Sequence, residues 1–260
     1  GIAGAAMATV ISQVVVFLIF IVMLFFKDHS HISFNLNDFT FSTEILWDII
    51  KVGLPASLSM IVMAVGQGVF NKILVHISVE TVAAYQVAGR LDMLVFLPIF
   101  SIAASLTTLV GMFYGAKEFE ALRFTIRYGI ISALIITIFS SALVYIFADQ
   151  VVRFFTEDES IVLIAVNFLQ IFAFAYPFIA VGITTGRVLQ GLGKGLPVLV
   201  ITIVRVLGVS APLALFFVFI MEKSVEWVWY SMMLSTVVAF AIGLTWLVST
   251  IKKLPVKKSD

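Results

Sequence analysis

Apolar residues fall along this chain in seven long runs separated by short polar breaks: 5–26, 53–77, 82–117, 121–147, 157–190, 196–221 and 225–251. Each run is at least as long as the ~20 residues a helix needs to cross a hydrocarbon core of ~30 Å. In hydrocarbon every backbone N–H and C=O must be satisfied internally, so open runs of this kind predict helices. The expected fold class is all-α: a polytopic transmembrane helix bundle of about seven spans.

The run over 82–117 organises the others. As one helix it would extend about 54 Å, well past the bilayer core. It carries Arg90 and Asp92, contains Pro98 and ends in a glycine-punctuated basic turn. Charge at membrane depth and a proline together suit a moving, cavity-lining helix. Pro55 heads the second span and Pro177 lies inside the over-long fifth. Pro55, Pro98 and Pro177 are therefore predicted as helix bends and gating points.

The breaks carry their own signals. Residues 28–43 are polar and rich in turn formers, and read as a solvated loop. His29 and His31 lie there, but two histidines without further ligands do not make a metal site. In 44–52, Ile45, Leu46, Ile49 and Ile50 oppose Glu44, Asp48 and Lys51, which with Trp47 predicts an interfacial helical turn before a kink at Gly53-Leu54-Pro55. An acidic loop is expected over 149–159. Within it, Thr156 and Glu159 match a capping box that would start the fifth span near Glu157. Gly191, Gly193 and Gly195 end that span, and Pro197 suits the first turn of the sixth. Trp227, Trp229 and Tyr230 at one end of the seventh span, and Trp246 near the other, read as interfacial belts.

Composition agrees with this picture. The chain is 62% hydrophobic and 12% charged, with a mean hydropathy of +1.15, whereas a soluble domain is about half apolar and about a quarter charged. A formal net charge of +1 names no partner, and scattered basic loops offer no nucleic-acid face. The absence of cysteine removes disulfides and thiolate chemistry. Basic residues gather in alternate loops: Lys27, then Lys117, Arg123 and Arg127, then Lys194, then Lys252, Lys253, Lys257 and Lys258. The positive-inside rule puts these loops and the C-terminus in the cytoplasm, with the N-terminus outside. No basic segment precedes the first apolar run, so that run is not a signal peptide. The chain is expected to begin inside a longer, multi-pass protein of the inner or plasma membrane.

Candidate chemistry is confined to a few polar groups at membrane depth. Arg90, Asp92 and Arg205 each cost at least about 2.5 kcal/mol at the bilayer centre unless partnered or wet. Arg90 and Asp92, at i, i+2, point to different sides of one helix. Arg205 is read as a buried structural or gating group, and a pair between it and Asp92, or between Arg90 and a carboxylate, would satisfy these charges. Alternatively, Arg90 and Asp92 meet headgroups at the outer interface. Ser59, Met63, Gln67 and Asn71 recur at i, i+4 on the second span, and Asn167 and Gln170 form a shorter stripe on the fifth. These stripes face a wet cavity or act as hydrogen-bond glue between helices. No hydrolase or nucleotide-binding motif is present, so no enzyme is expected and no catalytic or metal residue is assigned.

Five ordered segments then carry a resemblance: GIAGAAMATVISQ (1–13), KVGLPASLSM (51–60), VAAYQVAGRLDML with FLPI (82–99), VGMFYGAKEFEALR (110–123), and FAYPFIAVGITTGRVLQGLGKG with VRVLGVSAP (174–212). Through them the chain resembles the multidrug and toxic compound extrusion (MATE) family, closest to its DinF-like branch. The resemblance implies two six-helix bundles around a cleft, of which this chain would hold the second plus one preceding helix. It divides the chain into a last helix of the first bundle with an inter-bundle loop (1–43), a C-terminal bundle (44–251) and a basic cytoplasmic tail (252–260). It further implies a secondary active antiporter that exports cationic or amphipathic drugs and xenobiotics in exchange for H⁺ or Na⁺ by alternating access. No cofactor beyond that coupling ion is implied. The implied partners are small amphipathic or cationic molecules, the lipid bilayer and the N-terminal bundle of the same protein. The acidic residue that other branches carry on the first helix of the second bundle falls near Met63. Gln67, Asn71, Arg90, Asp92, Asn167, Gln170 and Arg205 are the candidate cavity or gate positions. Two alternatives remain: a lipid-linked oligosaccharide flippase of the same superfold, and a non-transporting structural half-protein.

Overall fold

The computed structural model of the protein describes residues 2–25 and 41–255. His29 and His31, and the tail beyond residue 255, lie outside the described residues. The chain divides into two compact units, Gly1–Thr43 and Glu44–Asp260. In the first, α1 (Ile2–Phe25) is apolar all round, and its large side chains, Met7, Ile11 and Phe17 among them, are exposed. An apolar helix with no buried face is suited to lipid.

The second unit is a helical bundle. Its helices are α2 (Thr43–Ile77), α3 (Val79–Gly115), α4 (Phe119–Arg153), α5 (Glu159–Gly191), α6 (Leu196–Ile203), α7 (Ala211–Leu215) and α8 (Glu226–Lys252). Two wider π-helical stretches, Val204–Ser210 and Phe216–Ile220, join α6 and α7 into one sixth span over Leu196–Ile220. Counting α1, seven helices among the described residues are long and apolar enough to cross a membrane.

Helix α5 is the centre, packed against α3, α4 and α8, while the sixth span packs mainly on α8. Small residues let the backbones close up. Ala84, Ala88 and Ala103 on α3, and Ala165, Ala175 and Ala180 on α5, are fully buried. Close approach of this kind drives helix association where lipid offers no hydrophobic advantage. Helix α2 meets the sixth span at Gly66, against Val206, and near its far end, where His76 stacks on Phe219 at 4.6 Å.

Several boundaries differ from the sequence expectation, each for a local reason. The amphipathic 44–52 segment is not a separate turn but the first part of α2, which stays helical through Pro55. Helices α3 and α5 likewise continue through Pro98 and Pro177. Helix α4 runs on to Arg153, so Asp149 belongs to its last turn, held by Arg153 Nε at 2.8 Å. The cap of α5 is Asp158, not the Thr156–Glu159 box. The Asp158 carboxylate accepts from the backbone N–H of Ser160 and Ile161 and from the Ser160 hydroxyl. These bonds hold Asp158 below the usual carboxylate range.

The three glycines after α5 have separate roles. Gly193 takes the left-handed conformation at φ 75°. It allows Lys194 N–H to reach the Leu189 carbonyl (2.8 Å) and its own N–H to reach Gln190 (2.9 Å), a Schellman closure. Gly191 and Gly195 instead admit close backbones. A Cβ on the first would lie 2.7 Å from the Thr107 carbonyl oxygen on α3, and on the second 2.6 Å from that of Val52 on α2.

Candidate functional site

The α3–α5 interface brings a carboxylate within a span to a hydroxyl. Asp92 sits on the α3 face that also presents the buried Ala88, Leu91 and Val95, and the hydroxyl of Tyr176 on α5 donates to its carboxylate. Tyr176 is fully buried and Asp92 half-buried. Asp92 therefore pairs with a neutral partner. The expected Asp92–Arg205 and Arg90–carboxylate pairs are not formed, because among the described residues the ion pairs are those of Arg153 with Asp149 and Glu159.

An aromatic wall continues from this pair. Phe96 packs edge-on against Tyr176 at 5.4 Å, Phe172 stacks on Phe168 at 4.2 Å, and Phe168 meets Trp229 edge-on at 4.9 Å. Tyr85 stacks on Trp229 at 5.9 Å. Trp229 is fully buried, so it is part of this core and not of an interfacial belt, whereas its neighbours Trp227 and Tyr230 are exposed. The Trp229 indole N–H and Asn167 Oδ1 are buried without hydrogen-bond partners among the described residues.

Arg205 is half-buried and lies in the first π-helical stretch. The backbone widens there because Pro212 has no N–H to return to the turn before it. The N–H of Ala211 reaches Val206, five residues back. Single π turns inside α-helices recur at functional positions.

The remaining candidates fall elsewhere. Arg90 and Gln67 are exposed; Asn71, Asn167 and Gln170 are half-buried. Asn71 Oδ1 accepts from Gln86 Nε2 on α3 at 3.5 Å. Ser59 is buried and spends its hydroxyl on the Pro55 carbonyl at 2.8 Å, and Met63 is exposed. The α2 stripe is thus split between helix-internal bonding, a cross-helix link and an open face. Sequence reasoning did not anticipate Tyr176 as the partner of Asp92, nor Tyr85 and Gln86. The available signal was a tyrosine at mid-span directly before Pro177.

The Glu44–Asp260 unit is thus a helical bundle of long apolar spans that carries a half-buried carboxylate and a half-buried arginine, neither in an ion pair among the described residues. Its residues 55–216 match the family model MatE, and the chain belongs to that family. Over 96% of its length it is 26% identical to a probable multidrug resistance protein, NorM, from Thermotoga maritima, of which it covers 53%. It is similar, with a TM-score of 0.91 and 32% identity, to a MOP superfamily transporter from Pyrococcus furiosus in which reverse polarity of the binding pocket suggests a different function. The match covers 100% of this chain and 58% of that one. An outward-facing multidrug resistance MATE family transporter matches with a TM-score of 0.89 at 32% identity, again over 100% and 58%. The chain spans about half the length of the curated relatives it matches.

Proposed function

We propose that this protein exports cationic or amphipathic compounds across the cell membrane in exchange for H⁺ or Na⁺, by alternating access, with its C-terminus in the cytoplasm. Family membership and the multidrug resistance named for its relatives support the export reading. The outward-facing state named for a solved relative supports alternating access. In this reading the second wall of the cleft comes from a further bundle, which the match to about half the length of the relatives supports. Pro55, Pro98 and Pro177 are the proposed points of flexure, where the backbone lacks a hydrogen bond.

The observation that carries the coupling role is Asp92 held by Tyr176. A half-buried carboxylate bonded to a hydroxyl can gain a proton or a cation without breaking an ion pair, and an ionisable group of this kind within a span supports a coupling role. Uptake of a fluorescent lipophilic cation into everted vesicles, which reports export, tests it. Asp92→Asn abolishes export at normal membrane levels, Asp92→Glu keeps part of it, and Tyr176→Phe moves its pH dependence. Unchanged export in Asp92→Asn would remove Asp92 from the mechanism.

A second reading is favoured by the two arginines. Exposed Arg90 and half-buried Arg205, neither in an ion pair among the described residues, outnumber Asp92, and a MOP superfamily relative is described as having reverse pocket polarity. A flippase for lipid-linked anionic headgroups fits that sign of charge. It predicts that export of lipophilic cations is absent and that Arg90→Gln or Arg205→Gln abolishes transport of the anionic substrate.

A further inference from the structure

One end of the Glu44–Asp260 unit gathers positive charge that no ion pair among the described residues neutralises. An apolar cluster including Val110, Leu122, Leu189 and Leu247 draws together the ends of α3, α5 and α8 and the start of α4. Arg123 fastens this end, donating from Nη2 to the carbonyl oxygens of Leu254 at 3.0 Å and Pro255 at 3.4 Å. Lys194 Nζ reaches Thr250 Oγ1 at 3.4 Å. These contacts bring the α5–α6 turn, the head of α4 and the foot of α8 side by side.

Lys117, Arg127, Lys252 and Lys253 stand exposed on the same end. Among the described residues none of these cations, nor Arg123 or Lys194, has an ion-pair partner. Glu118 and Glu120 are the carboxylates at the head of α4, and neither pairs. The opposite end is handled differently: there Arg153 is held between Asp149 at 2.8 Å and Glu159 at 2.7 Å. Lys117 keeps its place at φ 60°, in a turn where glycine is the unstrained choice. The cluster lies just past the last apolar turns of the spans, at the level where headgroup phosphates stand. Basic clusters in that position attract anionic lipids.

We propose that this end of the bundle binds anionic phospholipid headgroups, whose phosphates sit among Arg127, Lys194, Lys252 and Lys253. Arg123 is a positioning residue, since it holds the foot of α8 in place. Zwitterionic headgroups, which carry their own ammonium, bind more weakly. The proposal does not depend on what the protein transports.

Native mass spectrometry of the purified, delipidated protein, titrated with phosphatidylglycerol and phosphatidylcholine, tests it. The expected result is retention of phosphatidylglycerol over phosphatidylcholine by about tenfold or more, falling to near parity in Arg127→Gln/Lys252→Gln/Lys253→Gln. Arg153→Gln, at the far end, keeps the preference and controls for nonspecific loss of charge. Equal retention of both lipids, or an unchanged preference in the triple variant, would overturn the proposal. So would equally tight binding of soluble glycerophosphoglycerol, which would make this a site for a free phosphate and not for a membrane lipid. Thermal unfolding of the triple variant, unchanged from wild type in neutral detergent, separates lost binding from lost folding.

Discussion

A methyl group added at Gly191 would meet the Thr107 carbonyl oxygen at 2.7 Å and Val110 Cγ1 at 3.0 Å. The first of these is backbone and has nowhere to move without separating α3 from α5. Gly191→Ala is therefore expected to destabilise the bundle by roughly 1–3 kcal/mol, as overpacking does. Thermal unfolding in detergent checks this, and a wild-type midpoint would show that the two helices do not approach so closely. The same interface holds Asp92 and Tyr176, which are 84 positions apart in the chain. The sequence marked Asp92 as costly in hydrocarbon, but it offered Arg205 as the partner and gave the tyrosine no special weight. Charge at depth is legible from residue type. The choice among neutral and charged partners depends on which helix faces which, and that is set by the alanines between them.

At the scale of elements, lengths and ends were read well where the local chemistry is strong. The Gly193 closure of α5 follows from the one residue type that takes φ 75° freely. The same closure ends α3, where Glu118 N–H reaches Phe113 at 2.9 Å and Lys117 N–H reaches Tyr114 at 3.2 Å. There, however, the left-handed residue is Lys117. Lys117→Gly is expected to stabilise the protein by about 1 kcal/mol, the usual cost of that conformation with a side chain. The gain is read as a higher unfolding midpoint. No gain, or a loss, would show that the lysine's contacts outweigh its strain. Other element features were hidden. A run of apolar residues looks alike whether its turns are α or π, so the widened turn at Arg205 was not visible, although Pro212 was. The cap falls at Asp158, whose carboxylate accepts from the N–H groups of Ser160 and Ile161, while Thr156 Oγ1 accepts from the Asp158 N–H.

For the whole molecule, the fold class was legible because hydrocarbon leaves a chain so few options. Long apolar runs, proline and glycine at their ends and unpaired charges inside them define spans before any contact is known. The organisation of the interior was less so. Trp229 belongs to the core with Tyr85 and Phe168, yet composition places a tryptophan near a helix end at the interface. Burial on one face of a helix and exposure on the next cannot be separated where both faces are apolar. The central claim is that this bundle belongs to an exporter driven by an ion gradient. The most direct measurement is uptake of a fluorescent lipophilic cation into everted vesicles containing the protein, with the proton and sodium gradients imposed and collapsed one at a time. The account predicts uptake above that of protein-free vesicles, abolished by collapse of one of the two gradients. Uptake that is equal with and without protein, or indifferent to both gradients, would contradict it.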